Sequence, residues 1–217
     1  MKKGILFDLD GTLLDTLGDL TDAVNYTMDL YGCPHRTMQE VRSFLGNGAY
    51  KLIELSLPGL ETDPPVEEAL ANYQTYYKAH SQIKTQPYGG ILQALEALKG
   101  NYTVAVVSNK PDFATKSLCA YHFGDVYARG EVADCPRKPA PDMIYAAMKD
   151  LNLDSCIYVG DSDVDVHTAK NAGVPCLSVT WGFRDEADLV AAGGTYFCHI
   201  PAELPACIAA MEEENGQ

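Results

Sequence analysis

Apolar residues recur along this chain in two rhythms, and the switch from one to the other divides it into parts. Near the N-terminus an uninterrupted apolar run, Ile5-Leu6-Phe7, reads as a short buried strand. It ends abruptly in Asp8-Leu9-Asp10-Gly11-Thr12. From Leu20 the period changes: Leu20, Ala23, Val24, Thr27, Met28 and Tyr31 follow the stripe of an amphipathic helix, which Gly32 and Pro34 stop. Thr37 to Glu40 has capping-box spacing and opens a second helix carrying Val41, Phe44 and Leu45. Gly46-Asn47-Gly48 interrupts it before a third, short helix. After a loop bracketed by Pro58-Gly59 and Pro64-Pro65, a fourth helical face runs through Val66, Ala69, Leu70, Tyr73, Tyr77 and His80. Nothing between Thr16 and Lys84 reads as a strand.

Beyond Pro87 the two rhythms alternate. A helix around Ile91, Leu92, Leu95 and Leu98 is followed by a strand over residues 103–107 and a helix opened by Pro111. Next come a short strand near Val126 and a helix started by Pro141, with Ile144, Ala147, Met148 and Leu151 on its face. A strand over 156–159, a helix over 164–171 ended by Gly173, and a strand over 174–180 repeat the pattern. Tyr196 and Phe197 add one more strand before a last helix. Short apolar strands separated by helices predict parallel βαβ units, hence an α/β fold with a doubly wound, mainly parallel sheet. Residues 1–15 and 86–217 form that core, and residues 16–85 form an α-helical insertion.

Composition narrows the picture. A chain of 217 residues, 47% hydrophobic, can bury one good-sized core. A net charge of −14 and the lack of any Lys/Arg cluster argue against nucleic acid as a partner. Seven cysteines, odd in number and with no Cys-x-x-Cys pair, read as scattered thiols in a reducing compartment. Lys2 and Lys3 before an apolar run imitate a signal peptide, but Asp8 and Asp10 interrupt it within a few residues. No stretch approaches transmembrane length, so a cytoplasmic protein with no membrane partner is expected. Glu212-Glu213-Glu214 reads as a solvated tail.

The chemistry lies at the strand ends. Asp8 and Asp10 crowd one site at the carboxyl end of the first strand, where open α/β sheets bind ligands. Two such anions call for a cation, and Mg²⁺, with its preference for hard oxygens, suits them. Three later apolar runs also end in polar groups: Ser108-Asn109-Lys110, Lys138 in a Pro-rich loop, and Gly160-Asp161-Ser162-Asp163-Val164-Asp165. In this order the four motifs, Asp-x-Asp-Gly-Thr, Ser-Asn, Lys-Pro-x-Pro-Asp and Gly-Asp-Ser-x-x-Asp, resemble those of the haloacid dehalogenase superfamily of phosphohydrolases. The helical insertion resembles that superfamily's α-helical cap. Gly46-Asn47-Gly48, Ser108-Asn109-Lys110, Lys138-Pro139-Ala140-Pro141-Asp142 and Trp181-Gly182 look most like its phosphoglycolate phosphatase branch.

The resemblance implies Asp8 as nucleophile and Asp10 as general acid and base. It implies Lys138 as the cation facing the transferring phosphoryl group, a role that charge alone would not assign over the adjacent Arg137. Mg²⁺ would be held by the Asp8 and Asp161 side chains and by Asp10 through its backbone carbonyl, with Asp165 orienting metal-bound water or Lys138. Asp163 is expected to point elsewhere. Thr12 and Ser108 are either donors to phosphoryl oxygens or helix caps. Asn109 orients its loop or touches substrate. Arg42 and Lys110 could meet a substrate carboxylate, and Asn47 could lie over the leaving group; equally, Gly46 to Gly48 simply end a helix. Trp181 to Arg184 edge the site or pack on the core. The activity implied is phosphatase action on a small phosphorylated metabolite, with 2-phosphoglycolate foremost. Pyrophosphate, sugar phosphates, nucleoside monophosphates, transfer to a sugar hydroxyl and a silent binding module stay as alternatives.

Overall fold

The first strand becomes the middle of the sheet because both of its faces are apolar. The computed structural model describes residues 1–60 and 63–215. β1 (Lys3–Phe7) leads through a tight coil to β2 (Leu14–Asp15), and four helices follow: α1 (Leu17–Leu30), α2 (Met38–Phe44), α3 (Gly48–Ser56) and α4 (Val66–His80). β3 (Gln86–Pro87) returns the chain to α5 (Ile91–Lys99), β4 (Thr103–Pro111), α6 (Asp112–Phe123), β5 (Tyr127–Glu131) and α7 (Asp142–Leu151). The chain ends with β6 (Ser155–Gly160), α8 (Asp163–Ala172), β7 (Cys176–Val179), α9 (Glu186–Ala191), β8 (Tyr196–Cys198), a 3₁₀ turn (Pro201–Glu203) and α10 (Leu204–Asn215).

Six strands form a parallel sheet in the order β5-β4-β1-β6-β7-β8. Alternate side chains of β1 serve opposite layers. Ile5 and Phe7 join residues of α5, α6 and α10, including Leu95, Leu118 and Ile208, in one apolar cluster. Leu6 joins Met143, Ile144 and Ala147 of α7 and Ala169 of α8 in another. This two-sided burial explains the unbroken apolar run, and it is the predicted doubly wound α/β architecture. The chain moves outward from β1 through β4 and β5, then jumps back to β6, so the strand order reverses around β1. The carboxyl ends of β1, β4 and β6 therefore border the crevice where such sheets bind ligands.

Helices α1–α4 pack around a further apolar cluster that contains Leu20, Val24, Met28, Val41, Ile53, Tyr73 and Tyr77 and that Ala114 of α6 and Phe183 also join. The predicted capping box is present: Thr37 Oγ1 accepts from Glu40 N at 3.2 Å, and Glu40 Oε2 accepts from Thr37 N at 2.8 Å. Both strands that connect this layer to the sheet meet in a two-residue antiparallel ribbon, β2 with β3. Sequence periodicity cannot show so short a ribbon, and it also misses the six-residue α9. The acidic C-terminal run is not a free tail. Its first member, Glu212, belongs to α10, pairing with Lys3 Nζ and accepting from Tyr102 Oη, each at 2.8 Å. Among the described residues no helix is long and apolar enough to cross a membrane.

Candidate active site

The site grows from the coil after β1. Leu9 O accepts from the backbone N–H groups of Thr12, Leu13 and Leu14, and Gly11 N donates to Leu14 O at 2.9 Å. Gly11 has φ +83°, and a Cβ there would run into the Asp161 carboxylate. Glycine is needed here on both counts. The coil aims Asp8 at the sheet's crevice and sends Asp10 toward β4.

Lys138 lies behind Asp8, its side chain only 1% exposed. Its Nζ stands 3.1 Å from Asp8 Oδ1 and 2.7 Å from Asp165 Oδ1, and donates to Tyr158 Oη at 2.9 Å. Tyr158 Oη donates in turn to Val107 O at 2.8 Å. Burial disfavours the charge on Lys138, but Asp165 and Asp8 outweigh it and raise its pKa. Asn109 fixes the Lys138 loop: its Oδ1 accepts from Lys138 N at 2.8 Å and its Nδ2 donates to Lys138 O at 2.9 Å. The same amide donates to Gly46 O at 3.1 Å, which joins the loop to the α2–α3 junction. Asn109 is thus an organiser of two loops.

Asp8, Asp161 and Asp165 offer carboxylate oxygens that all lie within 4.8 Å of one another, and all three residues are buried. Burial, only partly offset by Lys138, pushes Asp8 up to about 6. Burial together with Asp165 and Asp8 pushes Asp161 up to about 8, against the lowering effect of donors from Phe183 N and Thr12 Oγ1. So much uncompensated negative charge on hard oxygens fits a divalent cation, with Asp8 and Asp161 the residues to hold it. Asp165 already has other work. Its Oδ1 meets Lys138, and its Oδ2 accepts from Ser162 N and Oγ at 3.0 and 2.6 Å, closing a capping box at the start of α8.

Three residues expected near the substrate have partners or positions of their own. Thr12, read as a possible phosphate donor, is wholly buried and donates to Asp161 Oδ1 at 2.8 Å. The same coil that brings Gly11 against Asp161 brings the hydroxyl there too. Lys110, read as able to meet a substrate carboxylate, already has a protein partner: its Nζ lies 3.0 and 3.1 Å from the two oxygens of Asp10 and 4.5 Å from the centre of the Tyr77 ring. Asn47 precedes α3 and falls outside the lining of the cavity described below, because Gly46 and Gly48, at φ +108° and +78°, turn their own backbone toward it.

Of the remaining residues, Ser108 is buried beside Asp8 and its hydrogen bond lowers that carboxyl's pKa. Arg42 donates to Gly182 O and Asp185 Oδ1 at 3.1 and 3.2 Å, outside the cavity. Asp163 points outward to Arg184 Nε at 3.3 Å. The aromatic loop edges the site and packs on the core at once: Phe183 N donates to Asp161 Oδ2 at 2.7 Å, and Trp181 Nε1 donates to Thr12 O at 3.0 Å.

A cavity of about 60 Å³ separates these groups from the helical layer. Asp8, Asp10, Ser108, Lys110 and Asp161 form its floor, while Leu20, Leu45, Leu52, Tyr73 and Tyr77 form its roof. Sequence reasoning missed Tyr158 as a partner of Lys138. The signal was there, a lone phenol within the apolar run Cys156 to Val159, but only packing shows which strand face it serves.

The chain as a whole is similar to known proteins. Residues 5–179 match the haloacid dehalogenase-like hydrolase family. Phosphoglycolate phosphatase 1 of Pseudomonas aeruginosa is 36% identical over 195 residues, covering 85% of this chain and 71% of its own. A phosphoglycolate phosphatase of Agrobacterium fabrum is 32% identical over 196 residues, covering 83% and 81%. Among solved structures, a haloacid dehalogenase-like family hydrolase from Streptococcus pneumoniae superposes with a TM-score of 0.84 at 27% identity, over 95% of this chain and 98% of that one. A protein from Lactobacillus delbrueckii subsp. bulgaricus superposes with a TM-score of 0.86 at 34% identity, over 96% and 99%. The chain belongs to the haloacid dehalogenase-like hydrolase family.

Proposed function

We propose that this protein is a Mg²⁺-dependent phosphatase that hydrolyses a small phosphate monoester, 2-phosphoglycolate foremost, through a phosphoryl group carried on Asp8. The observation that carries the reading is the pairing of Asp8 with the buried Lys138 at 3.1 Å, with a second, separately held carboxylate, Asp10, on the floor of the same cavity. An Asp8 oxygen attacks phosphorus, the bond from phosphorus to the ester oxygen breaks, and Asp10 gives that oxygen its proton. Asp10 then takes a proton from the water that attacks the acyl phosphate, and inorganic phosphate leaves. Lys138, held by Asp165 and Tyr158, faces the charge that spreads over the equatorial oxygens, and Ser108 adds a donor. Asp8, Asp161 and the Asp10 carbonyl would hold a Mg²⁺ ion, which would supply neutralising charge for the phosphoryl group.

Thr12 serves this site by holding Asp161. Residues 16–85 act as a cap domain that covers the leaving group and keeps bulk water from the phosphoenzyme. The names of the two bacterial relatives support the choice of 2-phosphoglycolate. Steady-state rates with Mg²⁺ on 2-phosphoglycolate, pyrophosphate, a hexose phosphate and a nucleoside monophosphate test it. The reading expects 2-phosphoglycolate to rank first in kcat/KM and ³²P to be trapped on Asp8 on acid quench. Absence of both overturns it.

A further inference from the structure

Four of the roof residues, Leu20, Leu45, Leu52 and Tyr73, offer an anion no charge to meet. A leaving group with its own carboxylate therefore needs a cation inside the cavity, since an unpaired charge among apolar walls is costly. Among the described residues two cations line the space, Lys110 and Arg184. Each nitrogen of the guanidinium already meets an acceptor in the loops it ties together: Nε Asp163, Nη1 Arg42 O at 3.2 Å, and Nη2 Leu45 O at 2.7 Å. Lys110 is tied to one carboxylate alone. Among the described residues its Nζ hydrogen-bonds only Asp10.

The two members of that pair differ in freedom. The Lys110 side chain is 3% exposed and its ammonium sits over the Tyr77 ring, whereas the Asp10 side chain is 19% exposed. Tyr77 is itself braced, its ring stacked on Tyr73 with centroids 5.6 Å apart. The ammonium is thus the fixed partner, kept in place by a cation–π contact that does not depend on Asp10. Tyr77 also lines the cavity, and its hydroxyl is buried with no hydrogen-bond partner among the described residues, which leaves a polar group there for a ligand to satisfy.

We propose that Lys110 selects for a negatively charged leaving group by exchanging Asp10 for the substrate's own carboxylate. The inference rests on the phosphatase reading above and adds to it a substrate class: monoesters whose alcohol carries an acid group. When such a substrate enters, its carboxylate takes the place of Asp10 on Lys110, and Asp10, released from the ammonium, takes up a proton from solvent and turns toward the ester oxygen that receives it as the bond to phosphorus breaks. The number of ion pairs is the same before and after. A neutral alcohol has nothing to offer Lys110, so Asp10 stays engaged and the correct geometry is rare.

The test compares 2-phosphoglycolate with 2-hydroxyethyl phosphate, which has a hydroxymethyl group in place of the carboxylate, on wild type and Lys110→Met. Wild type is expected to prefer 2-phosphoglycolate by ~10²-fold in kcat/KM, and the substitution to reduce that ratio to below ~10. A structural role would lower both substrates alike. A ratio unchanged in the variant overturns the exchange while leaving the phosphatase reading intact. A wild type that hydrolyses both esters equally overturns the exchange and the choice of 2-phosphoglycolate together, and one that hydrolyses neither ester nor any other in the panel overturns the phosphatase reading itself. Should Lys110→Met fail to fold by circular dichroism, Lys110→Gln removes the charge while keeping a donor for Asp10, and the same ratio decides.

Discussion

Single carboxylates in this protein are told apart by what holds them. Asp8 is buried against Lys138, Asp10 is held by Lys110, Asp161 by Thr12 and a backbone N–H, and Asp165 by Lys138 and Ser162. Removing the nucleophile while keeping its shape isolates its role. Asp8→Asn is expected to lower kcat by roughly 10³-fold or more. Its melting temperature should stay within a few degrees of wild type, because a neutral isostere replaces a charge that burial disfavours and Lys138 keeps Asp165. Circular dichroism melts and a phosphate-release assay check both halves. Thr12→Val makes the opposite test. It removes the hydroxyl that orients Asp161 without touching the nucleophile, so the Mg²⁺ concentration for half-maximal rate should rise about 10-fold or more. The rate at saturating Mg²⁺ should change far less. In the sequence the residues of the four motifs are visible, since each follows an apolar run. Their partners are not. That Thr12 faces Asp161, or that Tyr158 meets Lys138, depends on chain segments about 150 and 20 residues apart, and no local rhythm encodes which hydroxyl closes which gap.

At the scale of elements, sequence rhythm is reliable where an element is long or buried on both sides. β1 is legible because it is buried on both faces, α1 and α4 because they are long, and the seven-residue α2 because of its capping box. The β2–β3 ribbon and α9 are not, because two paired residues or six helical ones carry no period. The ribbon matters because it joins the helical layer to the sheet, and Asp19 reinforces it. This buried carboxylate in the first turn of α1 accepts from the backbone N–H groups of Ile83, Lys84 and Thr85 and from Thr85 Oγ1, at 2.8 to 3.1 Å. The start of the insertion is thereby clamped to its end. Asp19→Ala leaves those donors without their acceptor and is expected to cost about 2–4 kcal/mol. For a domain of this size that is a fall in melting temperature of roughly 5–15 °C. Thermal denaturation reads it directly, and a shift of less than a degree would remove the clamp as a stabilising element.

Over the whole molecule the net charge is −14, and three of the thirty acidic residues, Asp8, Asp161 and Asp165, are buried together where ionisation does most harm to the fold on its own. Asp161 is raised to about 8 and Asp8 to about 6, from ordinary values of 3.8. Both folded-state values lie above the unfolded ones, so the native chain without metal binds more protons than the unfolded chain between those limits. Its stability is then greatest below about pH 4 as far as these groups are concerned, and is lost as pH rises through 6 and then 8. A divalent cation replaces the protons and binds only the deprotonated carboxylates, so its contribution runs the other way. Chelated protein should therefore melt lower at pH 8 than at pH 5.5. Millimolar Mg²⁺ should raise the melting temperature by about 5 °C or more at pH 8 and by much less at pH 5.5. Scanning calorimetry at the two pH values, with and without Mg²⁺, provides the four numbers. A metal effect equal at both would mean that the cation is held by groups other than this cluster. The pairing of a destabilising acid core with a stabilising ion also ties folding to readiness for catalysis, since the same deprotonated carboxylates that weaken the metal-free chain are the ones that the phosphatase reading requires.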